Sequence, residues 1–542
     1  MGSYGGNILM LLESLLGLSG CYIAYRINNK EDIYKRKQRK IIENKWNKLM
    51  DAMGGTKIEN KMKERFKLLK IIPKNYGFDA IVSLPYGLNC NDFRVLLPAI
   101  QQAYQSNSIA EPSNDKNSIY MRCYDVNSKI NTKDKIRLKW YTHMSGSKYR
   151  NSLGETFTIK SIKELKSPKK ETIGYELDIK IPSQLSYDDL KSCEEDFQRE
   201  FGRCLINFDK IDLKTTATII TNPIGDKEPF VPIKPKTPYD FYLAMNHSYK
   251  PIFTNLKDNP HILITGQSQT GKTISVLTGI TNLAYFYNED DFILYESMIS
   301  SKQDLRIFKE LRQCMYYASD IPNSVKLFRH VLNELNRRNK MFASSERFCG
   351  NMYDWNKMHP KKKLPIIILT IDEMTLYTPK KSDKGSVKLQ KEECVDILTQ
   401  LIIEGASGGI NVLFSLQRPD REAFPPMIKS QCGTRIGFYQ GNTASSLVAM
   451  DDDSCSRLPM KREAVVKYNK GTELVKTLYI THAMIIDLLK DKMIGTEHHL
   501  NLDGNGNIIK ENKNSNNKKD NVKEENKDKS ENVINFKNIN TK

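Results

Sequence analysis

No two cysteines in this 542-residue chain stand in a Cys-x-x-Cys pair; the ten it has are scattered from Cys21 to Cys455. That absence excludes a zinc ribbon, a thioredoxin-type redox motif and a secreted disulfide framework, and it places most of the chain in a reducing compartment. Acidic residues are in short supply, 64 Asp and Glu against 83 Lys and Arg, which leaves a formal charge of +19. A surplus of that size points to an anionic partner, either nucleic acid or an acidic lipid surface. Also missing is any positive charge ahead of the first apolar run: MGSYGG carries none, so the start does not read as a signal peptide. The length leaves room for roughly two to four domains with sizeable buried cores.

The first apolar run, Asn7 to Tyr25, is interrupted only by Glu13 and a few small polar residues, and the cluster Lys35, Arg36, Lys37, Arg39, Lys40 follows it. At ~1.5 Å per residue a helix of this length comes close to crossing a ~30 Å hydrocarbon core. The positive-inside rule then puts the short N-terminus outside and everything after Arg26 in the cytoplasm. The expectation is a single-pass anchor in the cytoplasmic membrane over residues 1–28. A short amphipathic or buried helix, which Glu13 would suit, is the alternative. Between Arg26 and Lys70 there are 15 Lys and Arg against 6 Asp and Glu, so residues 29–70 read as a basic, juxtamembrane helical linker. At the other end, from about Asn501, an Asn/Lys/Glu mixture offers almost nothing to bury and cannot offset the entropy of ordering its backbone. Residues 496–542 are therefore expected to be a disordered polar tail.

Two folded regions lie between. Residues 71–235 read as an α+β domain with a weak internal repeat at an offset of 97: Gly77-Phe78-Asp79 through Leu84-Pro85 to Leu88, Asp92 and Phe93 matches Gly174-Tyr175-Glu176 through Ile181-Pro182 to Leu185, Asp189 and Leu190. Each copy reads as a strand, a proline stop, a polar turn and a helix beginning near Asn89 or Ser186. Duplication and convergent strand-turn-helix grammar both account for the match. Lys133, Lys135, Arg137 and Lys139 alternate along an expected strand ending at Trp140, which would put all four on one face, either against phosphates or in solvent.

The chemistry falls within residues 236–495. The apolar run Ile262-Leu263-Ile264-Thr265 leads directly into Gly266-Gln267-Ser268-Gln269-Thr270-Gly271-Lys272-Thr273 and then into a helical stretch. This is a complete G-x-x-x-x-G-K-T in its strand-loop-helix setting. The loop needs glycine where a Cβ would keep backbone N–H groups from converging on phosphate oxygens, and the helix N-terminus adds favourable potential. Lys272 would reach the β and γ phosphates of ATP, and Thr273 would hold Mg²⁺. A second apolar run, Pro365 to Ile371, ends in Asp372-Glu373. Alone this is an ordinary strand-end acidic pair. About a hundred residues after a phosphate loop, Asp372 is expected to organise the Mg²⁺ shell and Glu373 to orient and deprotonate the attacking water. A third run, Ile410 to Leu416, ends in Gln417-Arg418-Pro419, where Gln417 can sense the γ phosphate. Three buried strands ending in such residues describe an α/β fold, a RecA-like P-loop motor with a mainly parallel sheet. It would be preceded by the smaller α+β domain and an N-terminal membrane helix.

Several spaced stretches resemble the FtsK/SpoIIIE DNA translocases: Asn259-Pro260-His261 before the loop, Glu334 with Arg337-Arg338, Asn351 to Asn356, Ile371-Asp372-Glu373, Gln417-Arg418-Pro419-Asp420, and Thr434-Arg435-Ile436. The similarity covers roughly residues 175 to 480. The N-terminal hydrophobic segment and Leu84-Pro85-Tyr86-Gly87-Leu88 with Asp92-Phe93 look most like TcpA-type coupling proteins of conjugative elements. That resemblance implies a membrane-tethered homo-hexameric ATPase that passes DNA from a relaxase to secretion-channel proteins. The sequence departs from the family in lacking a winged-helix DNA-reading module after the motor. It also has Ala406, in Gly405-Ala406-Ser407-Gly408-Gly409, where the family commonly places an arginine that completes a neighbour's site. Arg435, with Arg418 second, is the expected substitute, a structural role being the alternative for each. An AAA-like protein remodeller and a non-hydrolysing nucleotide-binding scaffold of a secretion channel remain as rival functions on sequence grounds.

Overall fold

In the computed structural model the described residues are 33–509, apart from 54–58, 114–116, 145, 153, 202–204, 301–303, 418–425, 460 and 470. The apolar segment 7–25 and the polar tail beyond 509 lie outside them. Among the described residues no helix is long and apolar enough to cross a membrane. The chain divides into two compact units, residues 1–228 with 245–251, and residues 229–244 with 252–542.

The first unit opens with helix α1 (33–52). Then come β1 (Leu68–Lys74), β2 (Gly77–Ser83), α2 (Cys90–Arg94), α3 (Leu97–Tyr104), β3 (Ser106–Pro112) and β4 (Ser118–Asp125). After α4 (Thr132–Met144) the pattern returns as β5 (Thr158–Lys166), β6 (Thr172–Lys180), α5 (Tyr187–Lys191), α6 (Glu194–Phe201), β7 (Leu205–Ile211) and β8 (Lys214–Ile220). Both sheets are antiparallel and share one order, β1-β2-β4-β3 and β5-β6-β8-β7. The weak sequence match therefore marks two copies of one ββααββ arrangement. The agreement extends to local chemistry: Asn89 caps α2 in a capping box with Asp92, and Ser186 caps α5 in a capping box with Asp189. Each copy also sets a glycine so close to the neighbouring strand that a Cβ would stand 2.2 Å from a carbonyl oxygen, Gly77 at Cys123 and Gly174 at Ile219.

Three expectations are corrected here. Lys133, Lys135, Arg137 and Lys139 lie on helix α4, not on a strand, so they do not share a face. The decisive positions are Ile136, Trp140 and Met144, buried four residues apart, which outweigh the alternating lysines. Residues 29–70 are not a free linker: Trp46 and Met50 of α1 and Phe66 enter the core of the first sheet with Phe93 and Ile100, and β1 already begins at Leu68. Finally, order continues past residue 496. Leu502 pairs with Ile508 across a turn in which Asp503 accepts the Asn505 and Asn507 N–H groups. The Gly504 and Asn505 carbonyls accept from the Arg329 and Asn333 side chains, and the Gly506 carbonyl accepts from His330 Nδ1 at 3.0 Å.

The second unit is built on one ten-stranded sheet, assembled from β9 (Asp240–Asn246), β10 (Pro251–Asn255), β11 (Ile262–Thr265), β12 (Phe292–Ser297), β13 (Cys314–Ala318), β14 (Ile366–Ile371), β15 (Ile410–Leu416), β16 (Thr434–Phe438), β17 (Glu463–Tyr468) and β18 (Gly471–Lys476). The order is β10-β9-β18-β17-β16-β11-β15-β14-β12-β13. From β16 to β13 all neighbours are parallel, and β17 and β18 continue antiparallel. Helices α7 (Lys272–Phe286), α8 (Ile321–Ala343), α9 (Met352–Met358), α10 (Gly385–Glu404), α11 (Pro426–Gln431), α12 (Thr443–Met450) and α13 (His482–Leu489) connect or flank the strands. Alternate residues of the central strands, among them Leu263, Leu369, Val412 and Phe414, join Phe328 and Leu335 of α8 and Leu398 and Leu401 of α10 in one core. With the opposite face buried as well, the strands read as the unbroken apolar runs seen in the sequence.

His261, directly before β11, is 1 % exposed. Its Nδ1 accepts the Val412 N–H at 3.2 Å, so Nε2 carries the proton that reaches the Ile402 carbonyl at 3.0 Å. Burial holds its pKa down to about 4. The unfolded chain thus binds a proton near pH 6.5 that the native chain refuses, and stability falls as pH drops through that window. Lowering pH from 7.5 to 5 is expected to cost the second unit about 2 kcal/mol. Denaturant titration of that unit's unfolding transition measures it: His261→Gln should flatten the dependence, and an unchanged slope in the variant would remove His261 as its source.

Candidate active site

The C-terminal ends of β11, β14 and β15 lie side by side, because β11 pairs with β15 and β15 with β14 in parallel register. Each strand delivers its sequence-marked residues to that end. Gly266 through Gly271 form the loop between β11 and α7, and Gly271, at φ +121°, serves as the N-cap of α7. A Cβ on Gly271 would meet the Phe438 ring at 2.9 Å and the Arg462 backbone at 3.1 Å, so the loop is pressed against its neighbours. Backbone hydrogen bonds fix it from three sides: Gly266 N–H to Leu416 O at 3.2 Å, Gln267 N–H to Tyr439 O at 3.0 Å, and Arg462 N–H to Thr270 O at 2.9 Å. Ser268 and Gln269 are exposed, Thr270 is buried with its hydroxyl on Gln267 O, and Thr273 is half-buried. Lys272 is buried and its ammonium donates to the carbonyls of Gly266 and Gln267.

Asp372 follows β14, with its N–H on Ser297 O and its carboxylate accepting from the Ser300 hydroxyl. Glu373 is 8 % exposed and pinned at both oxygens: Oε1 accepts the Thr375 hydroxyl at 2.9 Å and Oε2 accepts the Gln417 backbone N–H at 3.1 Å. Burial raises its pKa, against the opposing pull of the Thr375 and Gln417 hydrogen bonds and the Lys272 charge. A carboxylate that is both oriented and made more basic suits proton abstraction. Gln417 is thus brought to the site, and the contact it makes there is through its backbone. Arg418 lies outside the described residues.

Arg435 is not brought to this end. It pairs in register with Leu263, two residues before the end of β11, and its guanidinium binds Asp451 and the Cys432 carbonyl. Lys429 and Lys467 share the same Asp451; against burial, which raises it, the hydrogen bonds and charges of Lys429 and Arg435 lower its pKa to about 2. The turn containing Ala406 precedes β15 and so belongs to the N-terminal ends of the strands.

Sequence reasoning missed Glu296, the acidic residue that ends the apolar part of β12. Its side chain is fully buried, both carboxylate oxygens lack a hydrogen-bond partner, and burial together with the Asp372 charge pushes its pKa well above the usual carboxylate range. An acid breaking an apolar strand was the available signal, the same one that exposed Asp372. Thr273 and Asp372 supply hard oxygen ligands, and an orphaned buried carboxyl beside Asp372 fits a site completed by a hydrated divalent cation such as Mg²⁺. Among the described residues no group of three or more His, Cys, Asp or Glu forms a metal cage by itself.

A phosphate loop on a central strand, with an acidic pair ending a strand two places along a mostly parallel sheet, defines a P-loop nucleotide-binding fold. Within that class, residues 233–452 match the model of the FtsK/SpoIIIE family. The DNA translocase FtsK of Clostridium tetani is 24% identical over 250 residues, 45% of this chain and 32% of that protein, and FtsK of Helicobacter pylori is 24% identical over 230 residues, 42% and 25%. The chain thus spans about a third or less of the length of these relatives. Among solved structures, the monomer form of the pCW3 conjugation coupling protein TcpA with ATPγS aligns over 66% of this chain and 99% of its own, at 18% identity and a TM-score of 0.45. The cytoplasmic domain of the Thermomonospora curvata type VII secretion ATPase EccC aligns over 48% and 32%, at 15% identity and a TM-score of 0.42.

Proposed function

We propose that this protein is an ATP-driven DNA translocase of the FtsK/SpoIIIE type, anchored in the cytoplasmic membrane with its motor in the cytoplasm. In this reading it acts as the coupling protein of conjugative DNA transfer. The observation that carries the motor reading is the convergence of Lys272, Thr273, Asp372 and Glu373 at one end of the parallel sheet inside the residues that match the FtsK/SpoIIIE family model. The apolar segment 7–25 and the basic run behind it support the anchor, and the charge of +19 supports a DNA partner. A hexameric ring, a relaxase and channel proteins complete the proposal.

The loop amides and Lys272 bind and neutralise the triphosphate. Thr273 and Asp372 would hold Mg²⁺, which supplies further charge neutralisation at the phosphates. Glu373, aimed by Thr375 and the Gln417 N–H, takes the proton of the attacking water. Because Gln417 leads directly out of β15, that hydrogen bond ties the base to the segment that follows the strand.

ATPase rates of the full chain with and without single- and double-stranded DNA test the reading. DNA should stimulate hydrolysis, Lys272→Ala should weaken ATP binding ~10-fold or more by removing a charge-assisted contact, and loss of residues 1–28 should release the protein from membranes at moderate salt. Robust hydrolysis indifferent to DNA would favour a protein remodeller; no hydrolysis would leave a scaffold.

A further inference from the structure

Within the first unit, the two ββααββ copies border a common cavity of about 370 Å³. It lies outside the family match, which begins at residue 233. Strand β3 is an edge of the first sheet and β5 an edge of the second, and residues of both line it beside helix α4. The lining carries four cations, Arg122, Arg137, Lys160 and Lys180, against two carboxylates, Glu111 and Glu155. Both carboxylates are already engaged: Glu111 pairs with Arg122 at 3.3 Å, and Glu155 accepts from the Asn151 amide at 2.9 Å. Arg137, Lys160 and Lys180 have no ion-pair partner among the described residues.

The two arginines stand on a fixed floor. Arg122 lies over the Tyr120 ring, 4.8 Å from its centroid, and the Tyr120 and Tyr76 hydroxyls both donate to the buried Asp79 at 2.8 Å. Arg137 stands one turn before Tyr141 on α4, and the Tyr141 hydroxyl accepts the Ile159 N–H at 2.9 Å, which fastens the helix to β5. Burial raises the pKa of Glu111, against the charges of Arg122, Arg137 and Arg94. One carboxylate thus answers three guanidiniums, and like charges gathered in a small concavity attract an anion. A neighbouring cavity shares Arg137, but there Lys133 pairs with Glu164 at 3.3 Å and Asp134 balances the arginine. The positive surplus is therefore confined to the first cavity.

We propose that this cavity binds a backbone phosphate of the DNA, a contact made by the first unit apart from the motor. Arg137 and Arg122 supply planar donors for the phosphate oxygens, and Lys160 and Lys180 add charge at the rim. The proposal rests on the DNA-partner reading above, and the test separates the two. Fluorescence anisotropy of the full-length protein with labelled single- and double-stranded oligonucleotides is followed over a range of salt. Lys160→Gln combined with Lys180→Gln, both at exposed positions, should weaken binding ~10-fold and flatten the salt dependence by about one phosphate contact. Arg137→Gln should act in the same direction. Lys70→Gln combined with Lys74→Gln removes the same charge from exposed positions on β1, at the opposite edge of the first sheet, and should leave binding within about two-fold. The ATPase rate without DNA should match the parent in all three. Equal losses in the cavity and β1 variants would reduce the effect to net charge and overturn the site. Oligonucleotide binding kept by the cavity variants, with inorganic phosphate binding lost by calorimetry, would make it a site for free phosphate and overturn its assignment to DNA. A parent protein that binds no oligonucleotide even at low salt would instead refute DNA as the partner.

Discussion

Glu373→Gln is expected to bind ATP within a few-fold of the parent protein and to hydrolyse it ~10²–10⁴-fold more slowly, the range lost when a general base is removed. The substitution keeps the volume and can keep both partners: the amide oxygen still accepts the Gln417 N–H, and the amide NH₂ can donate to the Thr375 hydroxyl oxygen, which now accepts instead of donating. What disappears is the ability to take a proton. It also removes a buried carboxylate whose charge burial opposes, so the variant should be no less stable than the parent. Single-turnover hydrolysis with direct measurement of ATP affinity separates the two effects. Turnover equal to the parent would end the assignment of Glu373 as base; loss of affinity matching the loss of rate would make it a binding residue instead.

The second large effect is structural. Arg338 is 1 % exposed, pairs with Glu334 at 2.8 Å, and donates to the carbonyls of Pro365 and Gly408, each at 2.8 Å. One guanidinium therefore ties α8 to the entry of β14 and to the turn before β15. Arg338→Met leaves two buried carbonyls without that donor and should cost about 3 kcal/mol. Glu334 is less isolated because Arg337 also binds it, so Glu334→Gln should cost less. Equilibrium unfolding at neutral pH checks the pair, and a loss below ~1 kcal/mol for Arg338→Met would show that the bolt is dispensable.

What could be read from residues alone were features carried by short, local patterns. The phosphate loop and the acidic pair each follow an unbroken apolar run, because a strand buried on both faces must be apolar until it reaches the functional end. Of the ββααββ repeat only the strand-turn-helix part was visible, through Asn89 with Asp92 and Ser186 with Asp189, where local hydrogen bonding dictates residue type. Long-range packing was not visible. Trp46 looks like one apolar residue in a basic stretch until Phe66 and Phe93 close around it. In α4 the alternating lysines imitate a strand, and only partners for Ile136, Trp140 and Met144 reveal the helix. Leu500 and Leu502 looked too sparse to order a polar tail, yet carbonyl contacts to α8 complete what two side chains begin. Arg462 reaches the loop from nearly two hundred positions away, and no local pattern encodes that approach.

The placement of β11 has a consequence for how the chain acquires its activity during synthesis. Each half of the first unit closes through strands and helices adjacent in sequence, the low-contact-order arrangement that forms early and fast. Strand β11 instead takes its hydrogen-bonding neighbours from β15 and β16, and its loop is fastened by Leu416, Tyr439 and Arg462. Until the ribosome has released the chain past Arg462, the loop that precedes Lys272 lacks the scaffold that shapes it. The shape of the phosphate-binding loop thus depends on segments as far along the chain as Arg462, so a chain cut short before that residue is expected to lack it.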